Sequence, residues 1–366
     1  MTDEHTKPES PDALLDFVAS VSGERYLRVE EDLGDGFVRL KVSEAERRQA
    51  KHDIRSVEDV VIELLRNARD AHAQRIFVAT TREGDTRTLV LIDDGIGIPE
   101  QLRDQVFEPR VTSKLETMVV DTWGVHGRGM ALFSVRSNVV SAEIVNTGMH
   151  RGTAIRVVTD PALLVERTDQ SSWPECSLEE NGVLRCARGP HNIIRRVVEF
   201  ACEHPGIDVC LGTPTEILAT MHDLAREQLD PSELLFCDDP GRLPLWQRPA
   251  TASDAAELVS TADALGLAVS ERTAHRILGG EIAPLRGATD RYVASPTNVP
   301  EPSPPNIYRD RRGLKLHEGD LDAFRRGLED AFDTLADRYY LQLRGEPKIV
   351  VGRDEIRVVF RVDKDE

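Results

Sequence analysis

The sequence contains no apolar run long enough to cross a bilayer, and its first residues, MTDEHTKPESPD, are polar and show no secretory signal. Cysteine is scarce: the chain holds five, with no CxxC pair, so we expect neither a disulfide framework nor a cysteine-bound metal. Basic residues are outnumbered by acidic ones, 46 against 64, and the formal net charge is −18. Such a charge disfavours a broad surface for nucleic acid or anionic membrane. We therefore expect a cytoplasmic protein without membrane contact, which reaches DNA only through a partner.

The domain organisation is indicated by length and by one proline-dense run. At 366 residues and 40% hydrophobic content the chain is long enough for two domains. The run SPTNVPEPSPPN is typical of an extended polar linker. The predicted parts are an N-terminal extension (1–55), a central domain (56–160), an α/β and helical module (161–294), the linker (295–306) and a C-terminal helix with a β-hairpin (307–366).

The first motif of the central domain is VIELLRNARDAHA, which reads as a helix that starts after Ser56. Glu63, Asn67 and Asp70 follow one another at helical spacing and share one face. An amide oxygen can ligate Mg²⁺, and a carboxylate one turn away can orient or deprotonate a water. On these three residues alone, a solvated polar face on an amphipathic helix stays equally open.

The second motif, DDGIGIP, follows a buried strand at residues 88–92. A carboxylate at the end of such a strand, here Asp93, can accept a hydrogen bond from an exocyclic amine. Gly95 and Gly97 would let the backbone approach a flat ring. Pro99 is expected to begin a short helix, PEQLRDQVF.

The third motif places Gly124, Gly127 and Gly129 before the apolar helix that starts near Met130. Glycines at a helix start expose backbone N–H groups and the positive end of the helix dipole, which together favour a phosphate. A dinucleotide-binding Rossmann unit would need the glycines first and the acids later. Here the order is reversed, so that interpretation is set aside.

Together with the later Gly152-Thr153, the three motifs resemble the N, G1, G2 and G3 boxes of the GHKL ATP-binding superfamily. The superfamily includes gyrase-type and type IIB topoisomerases, large heat-shock chaperones, MutL mismatch-repair proteins and sensor histidine kinases. The resemblance covers residues 56–159. It implies an α/β fold, a Bergerat-type two-layer sandwich with a mixed sheet, followed by a smaller mixed α/β module and a C-terminal helix plus strand pair.

The resemblance also implies roles for individual residues, with ATP and Mg²⁺ as cofactors. Asn67 would ligate the metal, Asp93 would accept from the adenine amine, and Glu63 matches the general base of the hydrolysing members. Lys114 lies in the segment that would form a lid, and Gly127 and Gly129 would donate to the phosphates. The expected nucleotide contacts are Asn67, Asp70, Asp93, Gly95, Gly97, Ile98, Lys114, Gly124, Gly127, Arg128, Gly129, Met130 and Thr153.

Two branches of the superfamily compete in this sequence. The segment FEPRVTSK at 107–114 looks like the F box of the kinases, whereas Glu63 is typical of the hydrolysing members. A kinase also needs a histidine on a hairpin well before the N box, and His52 lies too close to Glu63 for that. The leading expectation is an Mg²⁺-dependent ATPase that closes its lid or dimerises on ATP, similar to a type IIB topoisomerase B subunit with a partner subunit. A kinase-like phosphotransferase acting on a separate partner, and a nucleotide-gated interaction module without hydrolysis, stay as alternatives.

The rest of the chain is less specific. A helix from about Asn192, an HPG turn and a strand at 207–211 look like the region after the G3 box in type IIB topoisomerases, and a generic helix–strand unit that extends the sheet is the alternative. Residues 252–283 predict two short helices whose connection is too long for a DNA-reading helix-turn-helix. The tail predicts a charged helix at 320–340 and a strand pair, too short for a full transducer domain.

Overall fold

The computed structural model describes residues 29–113, 119–121, 124–126, 129–179, 183–230 and 239–293, together with parts of 321–364. The chain divides into two compact units, Met1–Val293 and Ala294–Glu366. The linker expected at 295–306 lies outside the described residues. The domain boundary expected near residue 160 stays a prediction.

The first unit is built around a five-stranded mixed sheet in the order β12-β3-β4-β9-β8. Its strands are β3 (Arg75–Glu83), β4 (Thr86–Asp93), β8 (Ser141–Gly148), β9 (Gly152–Thr159) and β12 (Asp208–Gly212). β12 runs parallel to β3, and the other neighbours are antiparallel. The predicted α/β fold with a mixed sheet is confirmed, and the strand expected near 207–211 forms the edge of this same sheet.

Four smaller pairings complete the strands of this unit. β1 (Val29–Gly34), β2 (Phe37–Leu40) and β5 (Val111–Thr112) form a three-stranded sheet. β6 (Val119–Asp121) pairs with β7 (Gly124–His126). β10 (Glu175–Leu178) pairs with β11 (Leu184–Arg188), and this register places Cys176 opposite Cys186 with their Sγ atoms 2.9 Å apart. The sequence had given no sign that these two cysteines are neighbours.

Among the described residues, four helices lie on one side of the large sheet: the last three contact its strands, and the first packs beside them. These are α1 (Glu44–Asp53), α2 (Val57–Asp70), α3 (Ala131–Asn138) and α4 (Ile193–Glu203). Ser56 caps α2 as expected: its hydroxyl accepts from Asp59 N–H, and the Asp59 carboxylate accepts from Ser56 N–H. The apolar face of α2 is buried in the core of this side.

The other face of the sheet is covered by the region after β12. It comprises α5 (Pro214–Gln228), a 3₁₀ segment (Leu245–Thr251), α6 (Ala255–Ala264) and α7 (Glu271–Leu278). The short α8 (Asp290–Val293) follows and packs instead on the first core through Tyr292. Along β3 the side chains alternate, so that Ile76 and Val78 pack on one core and Phe77 and Ala79 on the other. The ring of Phe77 stacks on Trp246 with centroids 6.3 Å apart. The two short helices expected at 252–283 are confirmed, and they pack on the same sheet as the nucleotide-box strands.

Two 3₁₀ turns, Glu100–Leu102 and Gln105–Phe107, replace the short helix expected after the second motif. Pro99 precedes the first turn in an extended conformation (ψ 137°) and does not occupy a helical position. The one short helix expected from Pro99 is thus two short 3₁₀ helices, the first of which starts at Glu100.

The second unit contains two antiparallel strand pairs. β13 (Leu341–Leu343) pairs with β16 (Val362–Lys364), and β14 (Lys348–Val351) with β15 (Ile356–Val359). The expected strand pair of the tail is confirmed, and several residues of the expected 320–340 helix are helical. Within the described residues, no helix has the length and apolar character of a membrane span.

Candidate functional site

A cleft of about 540 Å³ opens between the helices α1, α2 and α3 and the part of the sheet where β4 ends and β9 begins. Its volume lies within the range of small-molecule sites. It gathers residues from all four sequence motifs. The sequence-predicted residues that line it are Glu63, Asn67, Asp70, Asp93, Gly97, Ile98, Gly129, Met130 and Thr153.

One wall of the cleft is the polar face of α2. The Glu63 carboxylate pairs with the Arg66 guanidinium at 2.7 Å, and Arg66 itself is buried. The Asp70 carboxylate pairs with Arg69 at 2.9 Å. The alternative of a solvated polar face is therefore wrong for this helix, because these side chains are half-buried and face a cleft.

Asn67 differs from its neighbours on α2, because its side-chain Nδ2 is buried and has no hydrogen-bond partner within the described part of the chain. Buried amides are normally satisfied, so an open amide on a cleft wall points to an absent ligand. A half-turn about the Cβ–Cγ bond presents the amide oxygen in the same place. The described residues contain no group of three or more acidic, His or Cys side chains able to hold a metal. Asn67 therefore fits a Mg²⁺ that takes most of its ligands from water and phosphate.

Asp93 lies at the end of β4 and is 3% exposed. Gly95 lies behind the cleft wall, and its N–H donates to Asp93 Oδ1 at 2.9 Å. Burial, assisted by the charge of Asp94, raises the pKa of Asp93 to about 7, and hydrogen bonds from Gly95 and Thr153 only partly oppose this. A ligand that donates a hydrogen bond to the carboxylate would favour its ionised form.

The adjacent acid, Asp94, does not line the cleft but binds backbone N–H groups. Its Oδ1 accepts hydrogen bonds from the backbone N–H groups of Gln74 at 2.7 Å and Arg75 at 2.8 Å. These bonds tie the end of β4 to the start of β3. Of the two adjacent acids, one is directed into the cleft and the other closes the loop beneath it.

Two glycines allow the loop after β4 to lie against the turn between β8 and β9. Gly97 has φ +74°, and a Cβ there would lie 2.1 Å from the carbonyl oxygen of Gly148. Gly152 has φ +89°, and its Cβ would lie 1.9 Å from the carbonyl oxygen of Asp93. Any side chain at either position would push the loop away from the sheet.

Thr147, at the end of β8, does not line the cleft but contacts two residues that do, Ile98 and Thr153, and the sequence analysis missed it. Its hydroxyl accepts from Ile98 N–H at 2.9 Å and lies 3.5 Å from the hydroxyl of Thr153, its cross-strand partner. Thr153 is also the cross-strand partner of Asp93. The sequence signal that could have identified Thr147 was the run NTG at 146–148, which precedes the turn between β8 and β9 and places a threonine opposite Thr153.

The other end of the cleft is the start of α3. Gly129 has φ +65°, and Met130 precedes the helix without a side-chain hydrogen bond to cap it. The first N–H groups of α3 are thus left without a side-chain cap from a described residue. Gly124 belongs to β7, in a hairpin and not in the helix start. Lys114, Gly127 and Arg128 lie outside the described residues.

Arg110 is a second residue that the sequence analysis left without a role. It is a non-glycine residue at φ +62° and is only 9% exposed. Its guanidinium pairs with Glu46 of α1, and its backbone N–H donates to Gly129 O at 2.8 Å. Both Arg110 and Glu46 line the cleft.

The match to known families coincides with this cleft. Residues 52–162 match the family described as histidine kinase-, DNA gyrase B- and HSP90-like ATPases. This segment is therefore an ATP-binding domain of the GHKL superfamily, as the four motifs predict.

Curated relatives give a second comparison. The chain is 44% identical over 82 residues to the DNA mismatch repair protein MutL of Thermus aquaticus, and 43% identical over 82 residues to that of Thermus thermophilus. Each match covers 22% of this chain and 15% or 14% of the relative. The matched segment thus spans only about a seventh of the length of these relatives.

Proposed function

We propose that this chain binds ATP in the cleft, with adenine at Asp93 and the phosphates toward α3, and hydrolyses it with Glu63 as general base. The observation that supports this most is that a buried strand-end carboxylate, Asp93, and an amide with an open donor, Asn67, line one cleft of a GHKL domain.

At the adenine end, ionised Asp93 would accept a hydrogen bond from the exocyclic amine. Gly97 would let the ring lie against the backbone, and Thr153, with Thr147 beside it, would hold the neighbouring edge. Ile98 would contact the ring as an apolar neighbour. This division of roles follows the usual design of ligand sites, in which a few polar groups orient an otherwise apolar ring.

At the phosphate end, the backbone N–H groups at Gly129 and Met130 would donate to phosphate oxygens, aided by the positive end of the α3 dipole. Asn67 would hold Mg²⁺, and Asp70 would contact the metal through water molecules that the metal binds. The metal, when bound, would neutralise charge on the phosphate oxygens. Roles for Lys114, Gly124, Gly127 and Arg128 as further phosphate contacts stay predictions.

In the hydrolytic step, Glu63 would take a proton from a water whose oxygen attacks the terminal phosphorus. The bond between that phosphorus and the bridging oxygen to ADP breaks, and ADP and phosphate leave. Arg66 holds the Glu63 carboxylate at 2.7 Å in the structure, and this contact fixes the orientation of the base. Glu63 would have to share its lone pairs between Arg66 and the water, and a carboxylate has enough of them to do so.

The output we propose is a change of association state, in which ATP closes the lid and joins two copies of the chain in the cytoplasm. The matched relatives are mismatch repair proteins, so a MutL-like ATPase that works with a protein partner on DNA is the nearer model. A role similar to that of a type IIB topoisomerase B subunit is the other form of the same proposal. Contact with DNA would pass through the partner, because the chain carries a net charge of −18.

ATP turnover with and without Mg²⁺, measured beside ATP binding, tests the proposal. Glu63→Ala should lower the rate of ATP turnover at least about 100-fold and leave ATP binding in place, because general-base catalysis contributes roughly that much to the rate. Asn67→Ala should weaken Mg²⁺-dependent binding. Glu227→Ala is the matched control, because Glu227 is exposed on α5, away from the cleft. Wild-type protein that binds ATP without turning it over would contradict the hydrolysis step.

A nucleotide-gated module without hydrolysis is the second candidate, and one contact favours it. The Glu63 carboxylate is already engaged by Arg66, a buried partner that would keep it from a water. Arg66→Met separates the two: it should raise turnover if Arg66 withholds the base, and lower it if Arg66 positions the base. Transfer of ³²P from ATP to a histidine of a partner protein would instead support the kinase-like alternative.

A further inference from the structure

The ion pair between Arg110 and Glu46 joins α1 to the segment before β5, and both residues line the cleft. Glu46 uses its two oxygens separately: Oε2 accepts from Ser43 N–H at 2.9 Å and caps α1, while Oε1 binds the Arg110 guanidinium. Burial opposes ionisation of Glu46, but the hydrogen bonds from Ser43 and the charge of Arg110 outweigh it and lower the pKa of Glu46. The carboxylate is therefore charged at neutral pH, and the pair is ionic.

Arg110 is not fully satisfied by this pair. Its Nε is buried and has no hydrogen-bond partner within the described residues. A buried guanidinium nitrogen without an acceptor is costly, and its five donors suit phosphate oxygens in particular. The side chain thus has donor capacity left over inside a cleft.

The backbone at Arg110 is held in an uncommon conformation by its neighbours. Its φ of +62° lies in the left-handed region, which residues other than glycine seldom adopt. Two hydrogen bonds hold it there, from Arg110 N–H to Gly129 O at 2.8 Å and from Leu40 N–H to Arg110 O at 3.0 Å. The first of these fixes Arg110 directly beside the start of α3, where the phosphates are proposed to bind.

We propose that Arg110 is a phosphate-binding residue of the nucleotide site and that Glu46 competes with the phosphates for its guanidinium. This inference rests on the proposed binding of ATP in the cleft and deepens it. When a triphosphate enters, the guanidinium exchanges one Glu46 oxygen for phosphate oxygens and fills its open Nε. Glu46 keeps its cap on α1 but loses its bond to Arg110, so α1 loses one of the contacts that hold it when ATP is bound.

The competition makes opposite predictions for the two partners. Arg110→Met should weaken ATP binding by about 10- to 100-fold, the usual worth of a hydrogen-bonded charge, and should change adenosine binding little. Glu46→Gln should tighten ATP binding by about two- to fivefold, because the guanidinium no longer has to leave a charged partner. Arg110→Lys keeps the charge and should fall between wild type and Arg110→Met.

The experiment is calorimetric titration of the full chain with ATP and with adenosine, in the presence of Mg²⁺. Arg39→Met is the matched control, because Arg39 pairs with Glu31 and Glu108 but does not line the cleft. Hydrogen exchange of the α1 amides gives a second readout, and ATP, but not adenosine, should speed it. Folding of each variant is checked by its adenosine affinity, which should match that of wild type.

The outcomes separate this inference from the proposed function. Wild-type protein that binds neither ATP nor adenosine overturns both. Wild-type protein that binds ATP, with Arg110→Met no weaker than Arg39→Met, overturns the role of Arg110 alone. Weaker ATP binding by Glu46→Gln overturns the competition, because it would mean that Glu46 supports the bound nucleotide. Loss by Arg110→Met together with gain by Glu46→Gln supports the proposal.

Discussion

Replacing Asp93 by asparagine removes a carboxyl group that burial has made hard to ionise. Its pKa is about 7 in the folded chain against an ordinary value of 3.8. Asparagine keeps the shape and can accept the hydrogen bond from Gly95 N–H, but it carries no charge at any pH in this range. The variant therefore isolates the contribution that the buried carboxyl group of Asp93 makes to the free energy of unfolding.

The direction of the effect follows from proton binding. Between 3.8 and about 7 the folded state holds a proton on Asp93 that the unfolded state has released, so this group stabilises the fold at low pH and loses that contribution as pH rises through 7. One pH unit of this difference corresponds to roughly 1.4 kcal/mol. From about pH 5.5 to 8, wild type should lose about 2 kcal/mol of unfolding free energy relative to Asp93→Asn.

Urea unfolding of both proteins without nucleotide, at several pH values over that range, measures the difference. Asp85→Asn is the matched control, since Asp85 is exposed in the β3–β4 turn and lacks the burial that causes the effect. A difference between wild type and Asp93→Asn that stays flat with pH would refute the reasoning. It would mean that Asp93 is ionised throughout, held by its hydrogen bonds and not by burial.

Adenosine binding provides the functional counterpart of the same prediction. If the ionised carboxylate accepts from the adenine amine, wild-type affinity for adenosine should fall about tenfold for each pH unit below 7. Asp93→Asn should bind weakly and without this slope. Adenosine is the better probe than ATP here, because it has no phosphate that titrates in the same range.

Two further substitutions test the scaffold of the site. Gly152→Ala should destabilise the fold by about 2 kcal/mol or more beyond Gly84→Ala in thermal or urea unfolding. Both glycines have positive φ, but only at Gly152 would the added Cβ lie 1.9 Å from a carbonyl oxygen, whereas at Gly84 it would meet no atom within 4 Å. Equal losses would show that backbone strain alone decides. Glu166→Gln, which breaks the buried pair with Arg87 at 2.5 Å, should cost about 3–5 kcal/mol, whereas Glu143→Gln on an exposed pair should cost less than about 1 kcal/mol. Similar losses for both would contradict the assignment of that cost to burial.

Much of the cleft could be predicted because its residues come from contiguous motifs. The helical spacing of Glu63, Asn67 and Asp70 fixes their common face, since an α-helix repeats every 3.6 residues. The strand before Asp93 fixes its place at a sheet end. Such local patterns persist in the fold because neighbouring residues stay neighbours.

The missed residues act through contacts that are distant in the sequence. Arg110 and Glu46 are brought together across the cleft, and the role of Arg110 depends on a backbone bond to Gly129. Thr147 acts through the contacts of its hydroxyl with the loop at Ile98 and with Thr153. The one short helix expected from Pro99 is two for a similar reason, because packing of Leu102 and Phe107 into the core favoured two short 3₁₀ helices.

The sequence by itself determined the four boxes, the order of helices and strands around them, and the chemical types of the cleft residues. Only the tertiary structure decided that β12 extends the same sheet, that helices after it bury the second face, and that Asp93 titrates near 7. The reason is physical. Local patterns follow from backbone geometry along a few residues, whereas burial, and the pKa and pairing that depend on it, are set by groups that meet only when the whole chain has packed.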